Sequence, residues 1–480
     1  MKILLQEPLV SRELTYGKFS GGAGNNTFPY GLASVARYVM DRGHEVKYLE
    51  PNIEGMDFEA YGRYLLENDF DVVGMGSTTL QINQVIKTFE FVKKIKPGIV
   101  TVMGGVHPTI MPTETLEATA AVDYLVLGEG EIPFSRLLDW LKDGREGGRE
   151  PDGIPGLAFR GAGKVLVVNP PVPANTLAEA DFPTPPYELF PMKRYIAQIS
   201  YTKRFPSYSV VASRGCPFKC SFCNGSAVLG KRVRYKSADR LIEEILLLKN
   251  EYGAKGIIFL DSTFTLDKRW VAEFCRKYIE KKIGLPWACN SRVDTVDEPL
   301  LRLMKEAGCW EILYGIESAN QASLDLIRKG TTVEQNTRAL KLSMSLGFYT
   351  YASYILCLPG ETEADALNTV RYAREMATPI AMFYLPVPFP KTALYDTCRE
   401  MGGLREGAAW EDFNAWDFSN PVYINPLIGK ERMQEILKNA YSHHYRSPLV
   451  IWRNLKELLL FRQDLKKFIY AVKGMLGLYK

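Results

Sequence analysis

The sequence predicts an α/β protein with a doubly wound parallel sheet first, a partial (β/α)6 barrel second and a mainly helical C-terminal region last. Three observations predict it. Short apolar runs alternate with amphipathic stretches over residues 1–150. The alternation stops over 151–206, where glycine and proline collect, and returns over 207–396 with six strand-like runs. It is lost again over 397–480. Six strands are too few for a closed eight-stranded ring, so the second unit reads as a partial barrel.

In chain order, Lys2–Glu7, Glu45–Leu49, Val72–Ser77, Ile99–Gly104 and Val122–Leu127 read as strands. Tyr30–Arg42, Phe58–Glu67, Ile82–Ile95, Thr113–Thr119 and Ile132–Leu141 read as helices. In the connector, Gly156–Val168 reads as a hairpin turning at Gly161-Ala-Gly163. Phe182-Pro-Thr-Pro-Pro-Tyr-Glu-Leu-Phe-Pro191 cannot be a regular element, because proline removes backbone donors; it is expected to drape over the domain junction. Barrel strands are expected at 207–213, 256–261, 287–293, 310–317, 349–358 and 381–388, and helices at 237–252, 267–282, 297–307, 333–346 and 362–377. Beyond them Trp410–Phe418 is aromatic and acidic, and Lys430–Tyr445 reads as a helix ending at His443-His444. Adjacent histidines on a helix point in different directions and make a weak metal pair.

Bulk composition excludes several classes. With 480 residues, 46% hydrophobic and 24% charged, the chain is ordinary for a soluble globular protein. No apolar run reaches the roughly 18 residues of a membrane span. Met1–Pro8 is too short and too soon acidic for a signal peptide, so a cytoplasmic protein is expected. A net charge of +4 argues against nucleic acid as partner. The excess lies in one place: residues 451–480 hold seven Lys/Arg against two Asp/Glu, interleaved with Trp452, Phe461, Phe468 and Tyr470. Residues 447–480 therefore read either as a helix on an anionic membrane surface, at the inner face, or as a helix packed on the barrel with a solvated basic face.

Of eight cysteines, Cys275, Cys289, Cys309, Cys357 and Cys398 are scattered and read as packing residues. The other three lie in Ser213-Arg-Gly-Cys-Pro-Phe-Lys-Cys-Ser-Phe-Cys-Asn224. Cys216, Cys220 and Cys223, spaced C-x3-C-x2-C, can hold three corners of a cubic iron–sulfur cluster. A structural zinc site would want four closed ligands, and the four histidines (44, 107, 443 and 444) are far away in sequence. The pattern, with Phe222 before the last cysteine, resembles the signature of the radical S-adenosylmethionine (SAM) enzymes. The resemblance implies a [4Fe–4S] cluster whose open iron binds SAM, reductive cleavage to a 5′-deoxyadenosyl radical, and an external electron donor such as flavodoxin or ferredoxin.

Ligands of doubly wound sheets sit beyond the carboxyl ends of the strands. Those ends carry Gly76-Ser-Thr-Thr79, Gly104-Gly-Val-His-Pro-Thr109 and Gly128-Glu-Gly-Glu131. They resemble the Rossmann-like cobalamin-binding domain found upstream of one radical SAM subgroup. By that resemblance Ser77, Thr78, Thr79, Gly104, Gly105, His107, Gly128, Glu129 and Gly130 line the slot for the cobalamin tail. His107 has a second reading, as a residue that caps the turn before Pro108. The usual Asp-x-His-x-x-Gly motif is missing, since residues 9–29 contain no histidine. Cobalamin would then bind with no protein imidazole on cobalt.

The barrel's strand ends resemble the same subgroup. The resemblance places Asp261 and Ser262 near the methionyl amine, Arg292 at the carboxylate, Glu317 at the ribose, and Phe222 and the backbone around Leu358 beside adenine. An Arg and a Glu at strand ends can also be a rim salt bridge. Cys357 departs from the pattern, which has a small residue there, often glycine. The subgroup implies methylation of an unactivated carbon of a hydrophobic, lipid-like or natural-product substrate through methylcobalamin. The anaerobic magnesium-protoporphyrin monomethyl ester cyclase shares the layout and closes a ring instead, and a non-catalytic cluster or cobalamin sensor is a third reading. A tRNA methylthiotransferase would need a second cysteine trio, and residues 1–200 contain no cysteine.

Overall fold

The computed structural model describes residues 1–9, 27–143, 150–172, 182–195 and 202–461. Lys2–Gln6 (β1), Glu45–Leu49 (β2), Val72–Gly76 (β3), Val100–Gly104 (β4) and Tyr124–Val126 (β5) form a parallel sheet in the order β2-β1-β3-β4-β5. The runs are apolar on both faces because helices cover both faces. Tyr30–Met40 and Glu131–Asp143 cover one, around Ala36, Val39, Leu137 and Leu138. Phe58–Glu67 and Ile82–Ile95 cover the other, around Tyr61, Leu65, Val85 and Phe89. Leu157–Arg160 (β6) and Leu166–Val168 (β7) add antiparallel to β5, with Gly163 turning the chain at φ +66. The hairpin of the connector thus extends the first sheet.

Ser207–Val210 (β8), Gly256–Phe259 (β11), Trp287–Ser291 (β12), Cys309–Glu317 (β13), Tyr349–Ile355 (β14) and Ile380–Tyr384 (β15) form a second, fully parallel sheet in chain order. Two short strands, Ser213–Arg214 (β9) and Arg234–Tyr235 (β10), pair antiparallel beside it. The expected 207–213 strand is therefore two pieces. Ala212 leaves the sheet because its N–H donates to Asp261. Likewise the 349–358 strand stops at Ile355, and Cys357 takes a left-handed backbone, φ +63. Trp270, Phe274 and Tyr278 recur at helical spacing on Lys268–Glu280, and Phe274, between the other two, packs on Phe259 and Trp287.

The partial barrel leaves β15 as an edge, with unpaired backbone groups. The helix Lys430–Tyr445 covers it. Tyr441 and Tyr445 hydroxyls each bridge a backbone pair on β15: the N–H groups of Phe383 and Ala381 donate to them, and they donate back to the carbonyls. His444 faces the Thr378 carbonyl at 2.9 Å. Its partner in the sequence, His443, is on another side, so the pair makes no joint site.

The Pro-rich run packs at the domain junction. Phe28, Tyr30, Tyr187, Phe190 and Tyr195 interlock there. Beneath them Lys236 and Glu244 form a fully buried ion pair. Lys236 also donates to the Tyr30 hydroxyl, and Tyr30 and Tyr187 donate to Glu244. Every polar atom of that buried group except one lysine proton has a named partner, which is what makes its burial tolerable.

Candidate functional site

The cysteine loop leaves β9 at the carboxyl end of the barrel. Gly215 opens it at φ +106, and a Cβ there would lie 2.3 Å from the Arg232 carbonyl, so only glycine fits. Three backbone bonds pin the loop: Cys216 N–H to Gly230, Ser221 N–H to Ile327, and Leu394 N–H to Ser221. Cys216 and Cys220 are half-buried and Cys223 is exposed. Burial pushes the Cys220 thiol up, and Lys329 and Arg292 pull against it. Burial raises Cys223 too, against the Gly225 N–H, which donates to its sulfur at 3.3 Å. Among the described residues no three His, Cys, Asp or Glu side chains are placed to hold a metal ion. A four-iron cube spreads its ligand sulfurs further apart than a single ion does, and three soft donors on one exposed loop fit such a cube.

Arg292 reaches this loop from the end of β12. One guanidinium nitrogen lies 3.8 Å from Cys220 Sγ, and its plane rests 3.6 Å from the Phe218 ring centroid. Its other nitrogens donate to Asp294 and to the Lys329 carbonyl. Glu317, at the end of β13, has φ +65 and pairs with Lys329 at 2.8 Å, both nearly buried. Phe222 and Leu358 share one apolar cluster with Leu324 and Ile327. The two backbone groups of Leu358 already have partners, Glu361 and Asn425, so what it offers a ligand is its side chain rather than its amide.

Asp261 is tied to the chain that leads into the cysteine loop. Its two oxygens accept from Ala212 N–H at 3.1 Å and from Ser213 Oγ at 2.5 Å. Burial lifts its carboxyl to about 6, against those hydrogen bonds. It therefore anchors the strand that feeds the cysteine loop, and its neighbour Ser262 is exposed.

The glycine-rich loops of the first sheet converge. Ser77 N–H donates to the Gly104 carbonyl, and His107 N–H donates to the Ser77 carbonyl. Gly105 has φ +99, and a Cβ there would lie 2.7 Å from Ser77 backbone atoms. Gly128 N–H donates to Thr109 Oγ1. His107 Nδ1 meets Thr79 Oγ1 at 3.2 Å, while its buried Nε2 has no partner. Burial lowers His107 to about 4, so the ring is neutral. Thr78 is exposed and bonds Gln81. From the C-terminal region Trp410 packs edge-on against His107, and Glu411 accepts from Asn83. The segment where a cobalt-ligating histidine would fall, residues 10–26, lies outside the described residues.

The two sets of loops meet. The short helix Val106–Ile110 packs on Gly225–Leu229, directly after Cys223, and a Cβ on Gly128 would come 3.7 Å from the Val228 carbonyl. Glu129, expected to line the cobalamin slot, has its carboxylate held by two barrel arginines, bidentate to Arg234 at 2.7 and 2.9 Å and to Arg214 at 3.2 Å. Arg214 also reaches Glu131 and Ser34, each at 2.7 Å. The Phe182 ring lies against both guanidinium groups. The residue two before Cys216 is thus clamped to the Gly128–Gly130 loop of the other sheet.

Lys329, Arg214, Arg234 and Asn425 were missed by sequence reasoning. Arg214 carried one usable signal, a charge inside a strand-like run beside the cysteines. The others sit in loops or elements whose partners are far along the chain.

Family models match both halves: the B12 binding domain over residues 21–138 and the radical SAM superfamily over residues 210–373. An uncharacterized methyltransferase of Pyrococcus horikoshii is 33% identical over all of this chain and 99% of its own length. The anaerobic magnesium-protoporphyrin IX monomethyl ester cyclase of Rubrivivax gelatinosus is 28% identical over 89% of this chain and 75% of its own. The radical SAM methyltransferase TsrM of Kitasatospora setae, solved with cobalamin and a [4Fe–4S] cluster, has the same fold: TM-score 0.71, 19% identity, 92% of this chain and 88% of that one. With a cysteine loop on the barrel rim, a glycine-rich sheet edge against it and a full-length relative at this identity, the chain belongs to the radical SAM superfamily, in the group whose barrel follows a B12-binding domain.

Proposed function

We propose that this enzyme methylates an unactivated carbon of a small hydrophobic substrate, with residues 1–150 holding cobalamin and residues 207–396 holding a [4Fe–4S] cluster and SAM. The observation that carries the reading is the junction: the helix after Cys223 lies against the helix Val106–Ile110 and beside Gly128, so a methyl carrier and a radical source would share one space. When bound, the cluster with SAM supplies a hydrogen-abstracting radical and cobalamin supplies the methyl group. The chain's own residues bind and orient. Cys216, Cys220 and Cys223 hold the cluster. Arg292, beside Cys220, pairs with the SAM carboxylate, Glu317 with Lys329 takes the ribose, and Phe222 with Leu358 walls adenine. Ser77, Thr79, Gly104, Gly105 and Gly128 cradle the cobalamin tail through backbone amides and hydroxyls. His107 lines that cradle as a neutral ring. A ferredoxin- or flavodoxin-like donor supplies electrons.

The test uses anaerobically reconstituted protein, a reductant and SAM carrying a deuterated methyl group. Cell extract serves as the substrate source, and mass spectrometry follows deoxyadenosine and labelled products. Deoxyadenosine together with a labelled methyl in a product supports the reading. Deoxyadenosine with no label in any consumed compound favours ring closure, the second reading, which the similarity to the cyclase supports. No deoxyadenosine from protein with a full cluster favours a sensor.

A further inference from the structure

The N-terminal end of the barrel, opposite the cysteine loop, carries a second surface. The C-terminal helix Pro448–Phe461 crosses it. Val450 faces inward, Arg453 donates to the Met376 carbonyl and Asn454 to the Pro379 carbonyl, so the helix is fixed against the segment leading into β15. The opposite face holds Leu449, Ile451 and Trp452, exposed by 45, 45 and 60%. Beside the helix lies a groove of about 450 Å³ between the segments that precede β8, β12 and β13. Its walls are apolar, Ile283 and Leu285 among them, and Lys203, Arg204 and Lys282 line it with a single carboxylate, Glu306. Lys203 and Lys305 both feel the charge of Glu457, which places the helix end next to the groove.

We propose that this end of the barrel docks on an anionic bilayer, with Trp452, Ile451 and Leu449 entering the headgroup layer and Arg204, Lys282 and Lys456 meeting lipid phosphates. Charge selects this occupant. Residues 462–480 hold five Lys/Arg and one Asp, the same sign as the groove, which disfavours them as its occupant. A helix with a tryptophan and aliphatic residues exposed on one side, next to cationic side chains, has the make-up of an interfacial element. The cysteine face points away from such a bilayer, so docking localises the enzyme without requiring that its substrate be a lipid. The inference is independent of the reaction assigned above.

Full-length holoprotein is sedimented with vesicles of phosphatidylcholine alone or with about one-third phosphatidylglycerol, at about 0.1 M salt, near the ionic strength at which surface charges still interact. Binding to the anionic vesicles is expected to exceed binding to the neutral ones by at least about tenfold. Trp452→Ser with Ile451→Ser, and separately Arg204→Glu with Lys282→Glu and Lys456→Glu, are each expected to lose about tenfold. Unchanged cofactor absorbance and melting temperature certify that both variants fold. Equal binding to both vesicles, no binding to either, or unaltered binding by the two variants overturns the proposal. So does retention of an RNA or an acidic protein by a chain that ignores vesicles.

Discussion

Arg214→Met tests the clamp between the two cofactor halves. Wild-type Arg214 is flanked by Glu129 and Glu131, with both arginine and Glu131 almost fully buried. Burial raises the Glu131 carboxyl, but Arg214 and Ser34 more than reverse this and hold it below its ordinary value. Removing the guanidinium leaves only the Ser34 hydroxyl and a backbone hydrogen bond to oppose burial at Glu131. Breaking a buried pair from one side costs about 3–5 kcal/mol, mostly from the stranded charge. For a folding unit of 150–250 residues that lowers the first thermal transition by about 10 °C. Differential scanning calorimetry of the full chain reads it, and cobalamin and iron per chain should fall together. Adding Glu131→Gln to Arg214→Met removes the stranded charge, while Glu129 keeps its Arg234 partner, and should recover most of the loss. A single variant within about 1 kcal/mol of wild type, or a double variant no more stable than the single, would refute the reasoning.

Three further outcomes are expected. Changing Cys216, Cys220 or Cys223 singly to Ala should leave the fold intact, since all three lie outside the core, yet take iron from about four per chain to near zero. Iron analysis and visible absorbance check it; a variant that keeps its chromophore removes that cysteine from the ligand set. Gly105→Ala forces a Cβ to 2.7 Å from Ser77 backbone at φ +99, so β3 and β4 must part locally, at about 1–3 kcal/mol. Cobalamin retention on gel filtration should drop while the iron content holds; equal loss of both would mean general unfolding. Finally, burial lowers His444 from 6.5 to about 4, so the folded ring stays neutral where the unfolded one protonates. Its contribution is present above pH 6.5 and is lost as pH falls toward 4, by at most about 3 kcal/mol. Asp261, lifted to about 6, opposes this, because it protonates in the fold first and gains as pH falls. The readout is therefore a difference: His444→Gln should have a shallower acid slope than wild type between pH 6.5 and 4, and parallel slopes would discard the assignment.

What the sequence determined by itself is what depends on near neighbours. The helices Phe58–Glu67, Ile82–Ile95 and Lys430–Tyr445 begin and end where their apolar period does, because 3.6-residue spacing is local. The same holds for the order of strands and for the cysteine trio, whose three sulfurs share one loop. Tertiary structure alone decided which charges meet. Glu129 sits in a Gly-Glu-Gly loop that suggested a ligand, yet its partners lie 85 and 105 residues on, in the other domain. The same applies to Asp261, whose carboxylate holds the chain that leads into the cysteines. Trp410 against His107, the tyrosines on the β15 edge, and the Leu157–Val168 hairpin on the first sheet were equally out of reach. No residue-to-residue period links such partners; only the packing of two sheets brings them within hydrogen-bond distance, and burial then fixes the pairing by making an unpaired charge costly.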